Sequence, residues 1–151
     1  MKQYDINTLD KLVAEGKLMM QTHPTLPLRI YKYTPELQFS KGWDALTSRC
    51  RGLVVDNDGF QYSNPIPKFH NIEELQADPS FQLPNLPYEI TDKVDGSCIE
   101  VFWYKNQWIV CTLGSFTSDQ AIYAEQMLKT KYAHLMKNLE IGKTYIFELI
   151  C

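Results

Sequence analysis

The chain has no stretch approaching the roughly 18 consecutive apolar residues that a membrane-spanning helix requires. Its opening residues, Met1-Lys2-Gln3-Tyr4-Asp5, turn polar at once, so no secretory leader is expected. Cysteine is scarce. Cys50, Cys98, Cys111 and Cys151 show neither a Cys-x-x-Cys step nor a histidine at zinc-ligand spacing. That argues for free thiols in a reducing cytoplasm and against a disulfide framework or a metal site. Positive charge is not in excess either: 15 Lys and Arg against 18 Asp and Glu leave a net charge of −3. A surface coated with cations for nucleic acid is thereby excluded, but a local basic groove is not, because steering depends on where the charges sit. Internal repeats and low-complexity segments are also absent.

What remains is the composition of a globular domain, 44% hydrophobic and 22% charged, with nine Tyr and seven Phe in 151 residues. That length suits one domain with a real core. Asp5 is a candidate N-cap, and Ile6, Leu9, Leu12 and Val13 share one helical face after it. The pattern predicts a helix to about Met20, weakened at Gly16 and stopped by His23-Pro24-Thr25-Leu26-Pro27. Leu28 to Tyr33 and Cys50 to Asp56 read as strands, and Asn57-Asp58-Gly59 as a hairpin turn. Residues 64 to 87 hold five of the eight prolines and read as loop. Strands are expected at Tyr88 to Lys93, Cys98 to Tyr104, Trp108 to Leu113 and Thr144 to Ile150. Thr117-x-x-Gln120 matches a capping box, and apolar spacing predicts one helix from Ser118 to about Asn138. The last strand is almost wholly apolar, which suits a central position in a sheet, so the chain is expected to be the front part of a longer domain. The expected fold class is α+β, a mostly antiparallel sheet with outer helices.

Chemistry concentrates in Tyr88-Glu-Ile-Thr-Asp-Lys93-Val-Asp-Gly-Ser97. A lysine at the end of a strand becomes a nucleophile when its charge is suppressed. Gly96 would let the backbone approach a phosphate, and Ser97 could donate a hydrogen bond to it. The same tetrapeptide, Lys93-Val-Asp95-Gly96, also fits a surface β-turn. Other candidates are the cations of Arg49-Cys-Arg51-Gly52 and Pro65-Ile-Pro-Lys68-Phe69-His70-Asn71, which equally fit ordinary solvated positions. Leu113-Gly114-Ser115-Phe116 and Tyr145-Ile-Phe147-Glu148 complete the set. Alternation places Glu148 on the face of Ile146 and Ile150, so burial would demand a partner for it; an ion pair or an edge strand is the bland alternative. Gly142-Lys143-Thr144 lacks the upstream glycine of a P-loop and reads as a turn. His23 and His134 have no partners in sequence and read as surface or satisfied core positions.

In order and spacing these five elements resemble the RNA ligases of the T-even phage RNA ligase 1 type, within the covalent nucleotidyltransferase superfamily, over roughly residues 30 to 151. The resemblance implies a nucleotidyltransferase (ATP-grasp-like ligase) domain, with residues 1–24 an N-terminal helical segment and 28–151 the nucleotide-binding core. It further implies that Lys93 attacks the ATP α-phosphate. Arg51 and Lys68 would line the triphosphate, Glu148 would contact the ribose or orient the nucleotide, and Asp95, Gly96 and Gly114 would lie beside the nucleotide. ATP and Mg²⁺ are the implied substrate and cofactor, with no metal ligand set inside this chain. RNA with 5′-phosphate and 3′-hydroxyl ends, tRNA among them, is the implied partner. Two departures stand out: Leu113 occupies the place of a lysine before the Gly-Ser step, and His70 that of a second aromatic. The family's metal-binding Glu-Gly strand and K-x-K strand do not occur within the 151 residues. A DNA ligase or capping guanylyltransferase also uses K-x-D-G, and a non-catalytic nucleotide- or RNA-binding module is the alternative outside the enzymes.

Overall fold

Alternating apolar residues build two antiparallel sheets, and a computed structural model describes them through residues 2–76 and 79–150. The first sheet is a meander ordered β1 (Leu18–Thr22), β2 (Leu28–Tyr33), β3 (Arg51–Asp56) and β4 (Gln61–Ser63). The second has β5 (Ser97–Tyr104) in the middle, with β6 (Gln107–Thr112) on one side and β7 (Thr144–Leu149) on the other. Every strand pair is antiparallel. The α+β class therefore holds, with two sheets where one was expected.

The layers follow from strand parity. Leu28, Ile30 and Val54 point from the first sheet onto Phe102, Tyr104, Ile109 and Cys111 of the second and onto Phe116 of the loop after β6, forming the core between them. The opposite parity of the first sheet, Tyr31, Tyr33, Leu53 and Val55, packs beneath α1 (Ile6–Ala14) and α2 (Pro35–Ser40) through Leu9 and Leu37. The outer face of the second sheet, Ile99, Val101, Val110 and Leu149, is covered by α4 (Asp119–Lys129) and the neighbourhood of α5 (Ala133–Met136). A five-residue α3 (Ile72–Gln76) is the only helix in the long connection between the sheets among the described residues.

Turns come from the residues expected to make them. Gly59 takes φ +85° and the Asp56 carboxylate accepts from the Asp58 and Phe60 amides, closing the β3–β4 hairpin. Lys105 (φ +51°) and Asn106 join β5 to β6.

Four expectations are corrected. Asp5 does cap α1, accepting from the Asn7 amide at 3.1 Å, but the helix ends at Ala14. Gly16 takes φ +70° and Leu18–Thr22 pairs with β2 instead of continuing the helix. No strand forms at Tyr88 to Lys93: both edges of β5 are already taken by β6 and β7, and Tyr88 and Ile90 stand 84% and 88% exposed. The helix after Ser118 is capped by Ser118 itself, not Thr117, and breaks at Thr130 (φ −115°, ψ −84°), leaving Leu135 exposed. Finally, β7 lies at a sheet edge among the described residues, not at the centre. Cys50, Cys98 and Cys111 are free thiols, and Cys151 lies outside the described residues.

Candidate active site

Antiparallel pairing brings the end of β2 level with the start of β3, and the start of β5 level with the ends of β6 and β7. These ends meet across the two sheets. A cleft of about 500 Å³ opens there, lined by Met19, Met20 and Lys32 from the first sheet and by Ser97, Cys98, Thr112, Leu113, Gly114, Ser115, Ser118 and Gln120 from the second half. A β-carbon added to Gly114 would sit 3.0 Å from Lys32 Cδ, so the glycine lets the Gly-Ser loop close onto the Lys32 stem without displacing it. Gln21 of β1 fastens that loop: its carbonyl accepts from the Phe116 amide at 2.7 Å, and its amide donates to the Thr117 hydroxyl at 3.2 Å.

Arg51 reaches this end through a bulge. Tyr31 pairs with Leu53 but Lys32 pairs with Arg51, so Gly52 is an extra residue in β3. Without it, Arg51 would share the parity of Leu53 and Val55 and face the α1 side. The bulge turns Arg51 onto the face of Lys32. Its guanidinium then lies 5.1 Å from the Phe69 ring centroid.

Gly52 takes φ +96°, and a side chain there would collide with the Glu100 carboxyl. Glu100 is wholly buried. The Ser63 hydroxyl donates to its Oε2 at 2.5 Å, while Oε1 has no partner among the described residues. Burial pushes its pKa up to about 8, against the opposing Ser63 hydrogen bond and the nearby Arg51 charge. Glu100 is thus mainly a neutral acid at neutral pH. The half-buried Cys98 thiol is also raised, by burial first and then by Glu100; Arg51 lowers it and Glu148 raises it further. Those influences place Arg51, Cys98, Glu100 and Glu148 in one neighbourhood.

The residues singled out in the sequence fall as follows. Lys93 and Asp95 lie exposed in the irregular segment leading into β5. Gly96 packs tightly against the backbone of β7, where a side chain would collide with the Leu149 carbonyl. The close approach it permits is therefore to protein backbone. Glu148 pairs with Cys98 across the β5–β7 ladder and is exposed, as is Ile150 on the same face. Glu148 is therefore solvated and needs no buried partner. Lys68 sits over the Trp43 ring, 5.0 Å from its centroid, with its amide donating to the Ser48 carbonyl at 2.7 Å. His70 meets the same indole edge-on at 5.7 Å. Trp43 and Phe69 thus hold the Lys68–His70 segment beside Arg51.

Sequence reasoning passed over Lys32, Gly52 as a bulge, and Glu100. The signal for Glu100 was available: the alternation applied to Glu148 also puts Glu100 on the face of Cys98, Phe102 and Tyr104 in an equally apolar strand. Among the described residues no three His, Cys, Asp or Glu side chains cluster as a metal cage. What the cleft offers instead is one cation, Lys32, with small residues and hydroxyls around an open volume and Arg51 paired beside Lys32 at the same sheet end, a surface suited to a phosphate ester. A family model described as RNA ligase, of the T-even phage RNA ligase 1 type, matches residues 49–150, which include Arg51, Lys68, Lys93, Gly114 and Glu148. The chain belongs to this RNA ligase family.

Proposed function

We propose that this RNA ligase chain carries out ATP-dependent nucleotidyl transfer in the cytoplasm, with Lys93 as the residue that becomes adenylylated. The supporting observation is a cleft lined by Ser97 and Gly114 at the sheet end from which the Lys93 segment leads into β5, with Arg51 and Glu148 at neighbouring strand ends, both acting on the Cys98 thiol. In the first step the neutral Lys93 amine forms a bond to the α-phosphorus of ATP as the bond to pyrophosphate breaks, leaving a lysyl-AMP phosphoramidate. An oxygen of the 5′-phosphate of an RNA strand, tRNA among the candidates, then bonds to that phosphorus as the phosphoramidate P–N bond breaks and the Lys93 amine is released. A 3′-hydroxyl attacks that activated phosphate, a phosphodiester forms and AMP leaves.

The chain's share is positioning and charge neutralisation. Arg51 and Lys68 offset charge on the triphosphate, and the Ser97 hydroxyl donates to a phosphate oxygen. Glu148 accepts from the ribose; Asp95, Gly96 and Gly114 shape the nucleotide's surroundings. Mg²⁺ fits this site as an ion held chiefly by substrate phosphates and water, which needs only one or two carboxylates. Asp95, exposed beside the start of β5, is the one carboxylate that would touch it, with substrate phosphates and water supplying its other ligands. Bound there, it would offset charge on the phosphates.

The test is incubation of the purified protein with Mg²⁺ and ATP labelled at the α-phosphate, beside Lys93→Ala. Acid-labile label surviving a denaturing gel is expected on the wild type and none on the variant. Retained ATP binding by an unlabelled but folded wild type would replace the enzyme with a non-catalytic binding module.

A further inference from the structure

Lys32 and Arg51 are directly paired on adjacent strands; strand parity turns Lys32 toward the second sheet, and the Gly52 bulge turns Arg51 the same way. Like charges placed opposite one another in a ladder are destabilising unless an anion lies between them. Neither residue forms an ion pair among the described residues. The buried carboxyl nearest to Arg51, Glu100, is mainly neutral and is engaged by Ser63. The protein therefore builds a repulsive pair at the end of a cleft and supplies no counter-ion for it. The stem of Lys32 runs over Gly114, whose missing side chain leaves room for it, and the residue lines the same cleft as Ser97 and Ser115. Next to it is Leu113, which offers no charge of its own.

We propose that Lys32 is a nucleotide-binding residue that, with Arg51, clamps the polyphosphate of the nucleotide across the β2–β3 pair. This rests on the nucleotidyl-transfer reading for the identity of the anion. Parity puts Lys32 on the inter-sheet side with Leu28 and Ile30. The bulge does the same for Arg51, which parity alone would turn away. The two cations approach from the first sheet while Ser97 and the Gly-Ser loop approach from the second, so a phosphate chain would be held from both sides. An RNA 5′-phosphate carries the same chemistry, and the two sources are separated by the choice of probe.

The experiment measures binding of inorganic tripolyphosphate, ATP, adenosine and a 5′-phosphorylated oligoribonucleotide to the whole chain by titration calorimetry. Lys32→Met keeps the stem over Gly114 and removes the charge, Lys32→Arg restores a cation, and Lys129→Met is a control for net charge outside the cleft. A weakening of roughly tenfold or more is expected for tripolyphosphate and ATP in Lys32→Met, as for loss of one charge-assisted contact. Lys32→Arg should recover most of it, adenosine binding should not change, and Lys129→Met should match the wild type. Equal binding of tripolyphosphate by wild type and Lys32→Met would overturn the clamp, as would a loss confined to the oligoribonucleotide or an equal loss in Lys129→Met. A wild type with no affinity for tripolyphosphate would also overturn it. Lysyl-AMP formation, assayed separately on the wild type, then judges the nucleotidyl-transfer reading by itself.

Discussion

Glu100 and Glu148 are both acidic residues in apolar strands, and they meet opposite fates. Glu148 sits on an edge strand and reaches solvent; Glu100 sits on the central strand between two sheets and does not. The pattern of residues is the same in each, so alternation identified the face but not what covers it. Position within the sheet decides burial, and that is set by pairing partners remote in sequence. Glu100 carries a pH dependence with a definite sign. Its folded pKa, about 8, lies above the ordinary value of 4.5, so the folded state holds the proton more tightly. Stability from this group is full below about 4.5, falls as pH rises toward about 8, and is lost above that. The slope cannot exceed about 1.4 kcal/mol per pH unit. Urea midpoints of the wild type should therefore decline between about pH 5 and about pH 8, whereas Glu100→Gln should stay flatter across that window. Parallel curves for the two proteins would show that Glu100 is ionised in the fold.

At the scale of elements, β2, β3, β5 and β6 were legible because short alternating runs are bounded by turn residues, such as Asp58-Gly59, whose φ the structure bears out. The overrun of α1 through Gly16 and the strand expected at Tyr88 to Lys93 have a common cause. Apolar residues in both segments satisfy a local pattern, but a strand also needs a free edge. Leu18–Thr22 finds one beside β2, and the segment carrying Lys93 does not. The bulge in β3 was hidden for a related reason, because a register shift is a property of two strands. Its consequence is testable. Gly52→Ala must hold φ near +96° and press against the Glu100 carboxyl. A loss of at least about 2 kcal/mol is expected, from backbone strain and overpacking together. If β3 responds by losing the bulge, Arg51 turns toward α1, and tripolyphosphate affinity should fall further than the same loss of stability causes when made in the α4 face, for example by Val110→Ala. Equal affinities in the two variants would mean the bulge does not aim Arg51.

The whole molecule stacks helices, sheet, sheet and helices, and the candidate site lies where the two sheets end together. That arrangement explains why its outline was readable from five separated motifs while its interior was not. Each motif sits at a strand end, and only the packing of one sheet on the other makes them neighbours. The sheets are also consecutive in sequence: the first is complete by Ser63 and the second begins at Ser97. Ser63 to Glu100, Asn64 to Thr144, Gln21 to Phe116 and Gln21 to Thr117 are side-chain hydrogen bonds that stitch one half to the other. The contact between them therefore has the character of a protein–protein interface that happens to be covalently tethered. A chain cut between Leu83 and Pro84, within a segment without helix or strand, should remain associated and yield an active nicked species. If the proposed site takes ATP, the nucleotide should slow the exchange of the halves, because the cleft is lined from both. Halves that exchange at the same rate with and without ATP would place the nucleotide on one half alone. The candidate site is thus a product of assembly, and a ligand seated in it would be one of the forces that keep the two halves together.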